Sequence, residues 1–201
     1  MRASSSFLWL LVLVLAMGLW ACGGGAPMVY KSPRVSQVKV CRVAVLPFAN
    51  ETRYPVGGLL LYRVFQAELV ATRIYEVVSE GDVRKLMIQY RILPGDTPGR
   101  EFYEALVKSF GVDAVVEGRV IQMEEVHSEG GEVEPRLAFW VELRDARTQK
   151  VVMTAYNSRR GGDYRKVMHF GAVGSITELA RKMCDEVLNK WRREGLRGCG
   201  D

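Results

Sequence analysis

Histidine is nearly missing from this chain: His127 and His169 are the only two among 201 residues. A metal site or an acid–base centre built on imidazole therefore has few groups to draw on, and no further ligand stands at suitable spacing from either. The motifs of several large enzyme classes are absent too, with no GxSxG, no Walker loop and no GxGxxG after a strand. The four cysteines form no CxxC pair, so a cysteine-based metal site is not indicated. Charge of one sign is hardly in excess, since 28 Lys and Arg face 23 Asp and Glu. They are spread along the chain rather than gathered into the patch or stripe of a nucleic-acid binder. These absences lead us to expect a protein that is not an enzyme, with no catalytic residue, no metal, no cofactor and no nucleic-acid partner.

Long apolar runs are also scarce, and the one present is informative. Residues 7–22, FLWLLVLVLAMGLWAC, follow a single positive charge at Arg2 and end at a cysteine. The thirteen residues 7–19 carry no charge, yet they are too few to span the ~30 Å hydrocarbon layer, which takes about 20 residues as a helix. A basic start, a short apolar segment and a small residue before the cut make a secretory signal. Leu19-Trp20-Ala21-Cys22 resembles a bacterial lipobox, whose cysteine receives diacylglycerol and becomes the new amino terminus; Trp20 departs from that pattern, Ala21 and Cys22 match it. The plainer alternative is an ordinary cleaved signal with an incidental cysteine. Lipidation at Cys22 is what the resemblance implies. With each buried CH₂ contributing roughly 0.8 kcal/mol, several chains would make the attachment stable. Gly23, where an aspartate would retain the protein at the inner membrane, implies the periplasmic face of the outer membrane.

The chain then divides into a signal peptide (1–21), a flexible tether (22–40), one domain (41–195) and a flexible tail (196–201). Removing 1–21 takes away Arg2 and no acid, leaving a net charge of +4. The tether holds three glycines with Pro27 and Pro33 and no sustained periodicity, which gives a root-mean-square reach of about 23 Å if flexible. Of the cysteines beyond Cys22, Cys184 and Cys199 are close in sequence, and the glycines at 195, 198 and 200 would let the tail fold back to pair them. Equally, Cys41, Cys184 and Cys199 can all stay reduced, the first two packed as small apolar residues.

Within the domain, residues 42–48, RVAVLPF, read as a strand buried on both faces, and 49–55 as a polar loop. Leu61, Val64, Phe65 and Leu69 share a helical stripe. A short strand spans 74–78, Ser79 caps the next helix, and a third helix runs from about Pro98 to a left-handed stop at Gly111. Residues 113–123, 136–144 and 151–158 read as consecutive antiparallel strands, with Gly118 marking a close approach. A long helix then runs from beyond Gly161-Gly162 to about Arg193. The predicted fold is α/β (α+β): a single domain in which helices pack on a mixed β-sheet, in the order β-α-β-α-α-β-β-β-α.

The phrases VAVLPFANET, VVSEGDVRKLM, FGVDAVVEGRV and DARTQKVV resemble the periplasmic fold shared by the TolB amino-terminal domain, the activator lipoprotein LpoB and the curli secretion lipoprotein CsgG. That resemblance covers about residues 41–191 and implies a non-catalytic envelope module that binds partners or assembles into rings. Short connections leave no room for added pore strands of about ten residues each. The expected partners are the membrane through a lipid anchor, an envelope protein or peptidoglycan, and a second copy in a homo-oligomer. The candidate partner-binding residues are Asn50, Glu51, Thr52, Arg53 and Tyr54 in the first loop, and Trp140, which alternation places opposite the inward Phe139. A periplasmic hydrolase using Asp113, His127 or His169 is the remaining alternative.

Overall fold

Val43, Ala44 and Val45 are wholly buried, which a strand achieves when both its faces are covered. The computed structural model describes residues 25–33, 35, 39–127, 132–165 and 171–199. Along the chain these form β1 (Met28–Lys31), β2 (Arg42–Val45), β3 (Ala49–Asn50), α1 (Gly57–Ala71), β4 (Glu76–Val77), α2 (Glu80–Gln89) and α3 (Arg100–Phe110). There follow β5 (Ala114–His127), β6 (Val133–Asp145), β7 (Val151–Arg160), a 3₁₀ turn at Gly161–Tyr164 and α4 (Ile176–Arg193). The result is one α+β domain, a seven-stranded mixed sheet in the order β1-β7-β6-β5-β2-β4 with β3 beside β5. β4, β2 and β5 run parallel, whereas β5, β6, β7 and β1 are antiparallel.

Both faces of the sheet carry helices. α1 and α4 cover one face, where Leu61, Phe65, Leu69, Leu179, Met183 and Val187 meet the inward residues of β5 and β6. The Phe65 and Trp191 rings lie 6.1 Å apart at 65°, and burying each such side chain contributes about 1.5–3 kcal/mol. On the other face α2 and α3 cover the β2 end with a smaller core of Val83, Leu86, Phe102 and Leu106 against Ala44, Leu46 and Val115. Ser79 and Ser175 cap α2 and α4, accepting from the backbone N–H groups of Asp82 (3.2 Å) and Glu178 (3.3 Å). Gly111 ends α3 in the left-handed region (φ 64°), and a Cβ at Gly118 would sit 2.9 Å from the Phe48 ring. The final helix begins at Ile176, later than its sequence suggested, because the 3₁₀ turn follows β7 directly.

Both ends of the domain depart from expectation. Residues 22–40 were expected to form a flexible tether, yet Met28–Lys31 pairs along β7, and Pro27, Val35 and Val40 are buried. The expected tail is held as well. Leu196 is buried, the Leu196 N–H donates to the Trp191 carbonyl (3.1 Å), and the Val40 N–H donates to the Arg197 carbonyl (3.0 Å). The Cys184–Cys199 pairing is corrected: the disulfide joins Cys41 and Cys199, with Cα atoms 4.9 Å apart. Cys184 faces the core from within α4, nine residues before the helix ends at Arg193. At 1.5 Å per residue that is about 13 Å from where the tail begins, whereas the tail returns beside Cys41. Burial pushes the Cys184 thiol pKa well up, with Glu68 and Asp185 adding to the effect.

Candidate binding crevice

A polar crevice opens beside the carboxyl end of β2. From β2 the chain passes by α1 to β4 on one side, then returns by α2 and α3 to β5 on the other. β2 and β5 are therefore parallel neighbours, the carboxyl end of β2 lying beside Val116 of β5, and β5 leaves by an antiparallel hairpin to β6. A crevice of about 150 Å³ lies there, between Leu46-Pro47, the loop at Gly95–Thr97, and the β5 and β6 residues Glu117, Arg119, Trp140, Glu142 and Arg144.

Strand register decides its electrostatics. Glu117 and Glu142 stand directly opposite each other, a like-charge pair that is unfavourable alone. Arg144 lies between them: Nε donates to Glu117 (3.2 Å), Nη2 to Glu142 (2.5 Å) and Nη1 to the Gln149 carbonyl (3.3 Å). Burial works against the Arg144 charge, but Glu117 and Glu142 more than offset it and raise its pKa. Tyr103 reaches from α3 to donate to Glu117, and the Trp140 indole N–H donates to Glu142 (3.1 Å). Burial, reinforced by the hydrogen bond to Glu117, drives the Tyr103 phenol pKa up. At the rim Arg119 donates to Glu51 (3.2 Å). The carboxylates are thus held by fixed donors, an arrangement suited to recognising polar groups beside an indole rather than to moving protons.

The six candidate partner residues separate into two groups. Glu51 and Trp140 line the crevice together. Asn50, Thr52 and Tyr54 close a turn on themselves: Asn50 Oδ1 accepts from the Thr52 N–H (3.2 Å) and hydroxyl (2.8 Å), and Asn50 Nδ2 donates to the Tyr54 carbonyl (2.8 Å). Their work is to present Glu51, while Arg53 is exposed outside the crevice. Tyr103, Glu117 and Arg144 escaped the sequence reading because their meeting depends on α3 crossing β5. The Leu-Arg alternation of β6 placed Arg144 on the Trp140 face, and that was the available signal.

Asp113, considered for hydrolysis, instead accepts from the backbone N–H groups of Cys41 (2.9 Å) and Arg42 (3.0 Å). His127 is exposed at the end of β5. His169 and Cys22 lie outside the described residues. Among the described residues no three His, Cys, Asp or Glu side chains are placed to hold a metal ion, and no helix is long and apolar enough to cross a membrane.

No protein-family model and no curated protein matches the chain. Its fold is similar to solved structures of bacterial proteins. A single-residue variant of PelC from Paraburkholderia phytofirmans, a dodecamer, shares 21% identity at a TM-score of 0.57 over 83% of this chain and 98% of its own. Lipoprotein GNA1162 from Neisseria meningitidis shares 19% identity at a TM-score of 0.54, over 76% and 99% respectively. The LpoB C-terminal domain from Escherichia coli is more remote, at 11% identity and a TM-score of 0.44 over 73% and 93%. At these identities the likeness establishes the fold alone.

Proposed function

We propose that this chain is a lipid-anchored lipoprotein on the periplasmic face of the outer membrane, acting as a non-catalytic binding and scaffolding module in envelope assembly or secretion. The carrying observation is the crevice: each of its carboxylates on β5 and β6 is committed to Arg144 and to a second donor, so recognition fits the site better than turnover. The apolar run ending at Cys22 supports export, as does the Cys41–Cys199 bridge, a bond that persists in oxidising compartments. Acylated protein at native expression, used as bait in envelope extracts, should retain a protein or peptidoglycan partner and lose it with Trp140→Ala or Glu51→Ala. Retention of neither partner class counts against the reading.

A second reading, a subunit of a closed ring, is favoured by apolar surface near both ends of the strand order. Met28 and Tyr30 are 53% and 63% exposed on β1, and Leu59 and Ile88 are 45% and 68% exposed on α1 and α2. Two different patches on one subunit make a head-to-tail contact, which closes into rings when the rotation allows. The dodecameric PelC has this fold, and the TolB-like and CsgG-like groupings rest on the sequence phrases. Light scattering on the acylated protein separates the two readings, a monomer excluding the ring.

A further inference from the structure

The placement of β1 sets how far the domain can stand from its anchor. Met28 pairs with Tyr156 on β7, and toward the amino terminus the chain continues up that strand. Gly25 lies beside Arg159, where a Cβ would be 3.5 Å from Nη1. Between Gly25 and Cys22 there are only three peptide steps, and whatever their conformation they cover at most about 11 Å. The expected tether of 22–40, with eighteen steps, would have allowed about 60 Å.

The β5–β6 hairpin rises beside this point. Arg159 is level with Leu137, and pairing continues from there to His127 and Val133. Those four residues of β6 extend about 13 Å at 3.3 Å each, at least as far as the link to Cys22 can stretch. A sulfur fixed at a bilayer surface therefore leaves no room for the domain to stand clear. We infer that the hairpin end of the sheet, at Val126, Val133 and the neighbouring Arg165, lies against the lipid surface to which Cys22 is attached, held there by the shortness of the link. The inference rests on the proposed acylation of Cys22.

Arg136 near this end is already paired with Glu124 (3.7 Å) and Glu134 (3.3 Å) within the domain. The end carrying Asp145, Gln149 and the Cys41–Cys199 bridge then faces away from the membrane. β1 and β4, at the two edges of the sheet, face sideways toward neighbouring anchored copies.

The test uses full-length protein purified from membranes and returned to vesicles carrying a quencher on the lipid headgroup. A fluorophore is attached through Arg165→Cys, Tyr30→Cys or Arg147→Cys, and intact mass reports the acyl chains on Cys22 in each sample. Acylated protein should lose most emission at 165, less at 30 and none at 147. Equal quenching at 165 and 147, or greater quenching at 30, overturns the orientation while leaving the anchor intact. An unmodified Cys22 overturns the anchor and the inference together, and the mass distinguishes that failure from the first. Inserting twenty Gly and Ser residues before Gly25 gives a reach of about 25 Å and should abolish the quenching at 165. Quenching that persists overturns the claim that the short link makes the contact.

Discussion

Replacing Cys199 by alanine removes a crosslink that closes a loop of 158 residues. The chain-entropy relation for such a loop gives about 5 kcal/mol at 25 °C, acting on the unfolded ensemble. Little of this should be recovered in the folded state, because the tail stays fastened without the bond. Leu196 is 5% exposed and the Val40 N–H to Arg197 carbonyl bond is 3.0 Å long. With measured disulfide contributions mostly of about 2–4 kcal/mol, a fall in that range or slightly above it is expected. For a urea dependence of about 2 kcal/mol per molar, that lowers the unfolding midpoint by roughly 1–2 M. The assay is urea unfolding followed by circular dichroism, with and without reductant, for wild type, Cys199→Ala and Cys184→Ala. Reductant should destabilise wild type and Cys184→Ala alike and leave Cys199→Ala unchanged. If Cys184→Ala abolishes the response to reductant, or wild type shifts by less than about 0.3 M, the assignment of the bridge is wrong.

Other perturbations bear on the two cores and the crevice. Burial, and secondarily the Glu80 charge, push the Tyr62 phenol up to about 12, whereas an unfolded tyrosine ionises near 10. Its contribution is therefore intact below about pH 10 and lost as pH climbs toward 12, so unfolding midpoints should fall over that window, less steeply in Tyr62→Phe. The same variant should be within about 1 kcal/mol of wild type, or more stable, at neutral pH, because the buried Tyr62 hydroxyl has no hydrogen-bond partner among the described residues. Gly118→Ala forces a methyl against the Phe48 ring and should cost about 1–3 kcal/mol by thermal or urea unfolding. Arg144→Met leaves Glu117 and Glu142, 20% and 21% exposed, facing each other without a cation. A loss of about 1–3 kcal/mol is expected, largely restored by adding Glu117→Gln and Glu142→Gln.

The sequence was most readable where local pattern and burial coincide. The continuous apolarity of residues 43–46 announced a central strand, the stripe of Leu61, Phe65 and Leu69 announced the buried face of α1, and Ser79 and Gly111 punctuated helices as their chemistry dictates. β1 was illegible for an equally physical reason. Two of its four side chains, Met28 and Tyr30, remain more than half exposed, and Pro27 precedes them. Such a segment becomes a strand only because β7, more than 120 residues later, offers it an edge. The disulfide was misassigned in the same way, because proximity in sequence counted for more than the rigid length of α4 between Cys184 and the tail. Of the crevice, Glu51 and Trp140 were selected as candidates, but the Arg144 bridge between two opposed glutamates follows from register, which a single strand does not disclose.

These two misread segments bear jointly on how the module would act. A domain on a long flexible leash samples all orientations, so a partner must find whichever face happens to be presented, and an assembly in the membrane plane must order every copy first. Here β1 fastens the amino-terminal approach to the sheet edge, and the Cys41–Cys199 bridge fastens the opposite terminus beside the entry to β2. If Cys22 carries the anchor, orientation becomes a property of the fold itself. Copies so held present their β1 and β4 edges at one height, and head-to-tail contacts between them lose less rotational freedom on forming. Lengthening the link before Gly25 should therefore weaken any lateral assembly as well as the membrane contact. Light scattering in detergent, where no bilayer imposes a common height, should show the same association for the short and long links, and a difference there would mean that the linker acts on the interface itself.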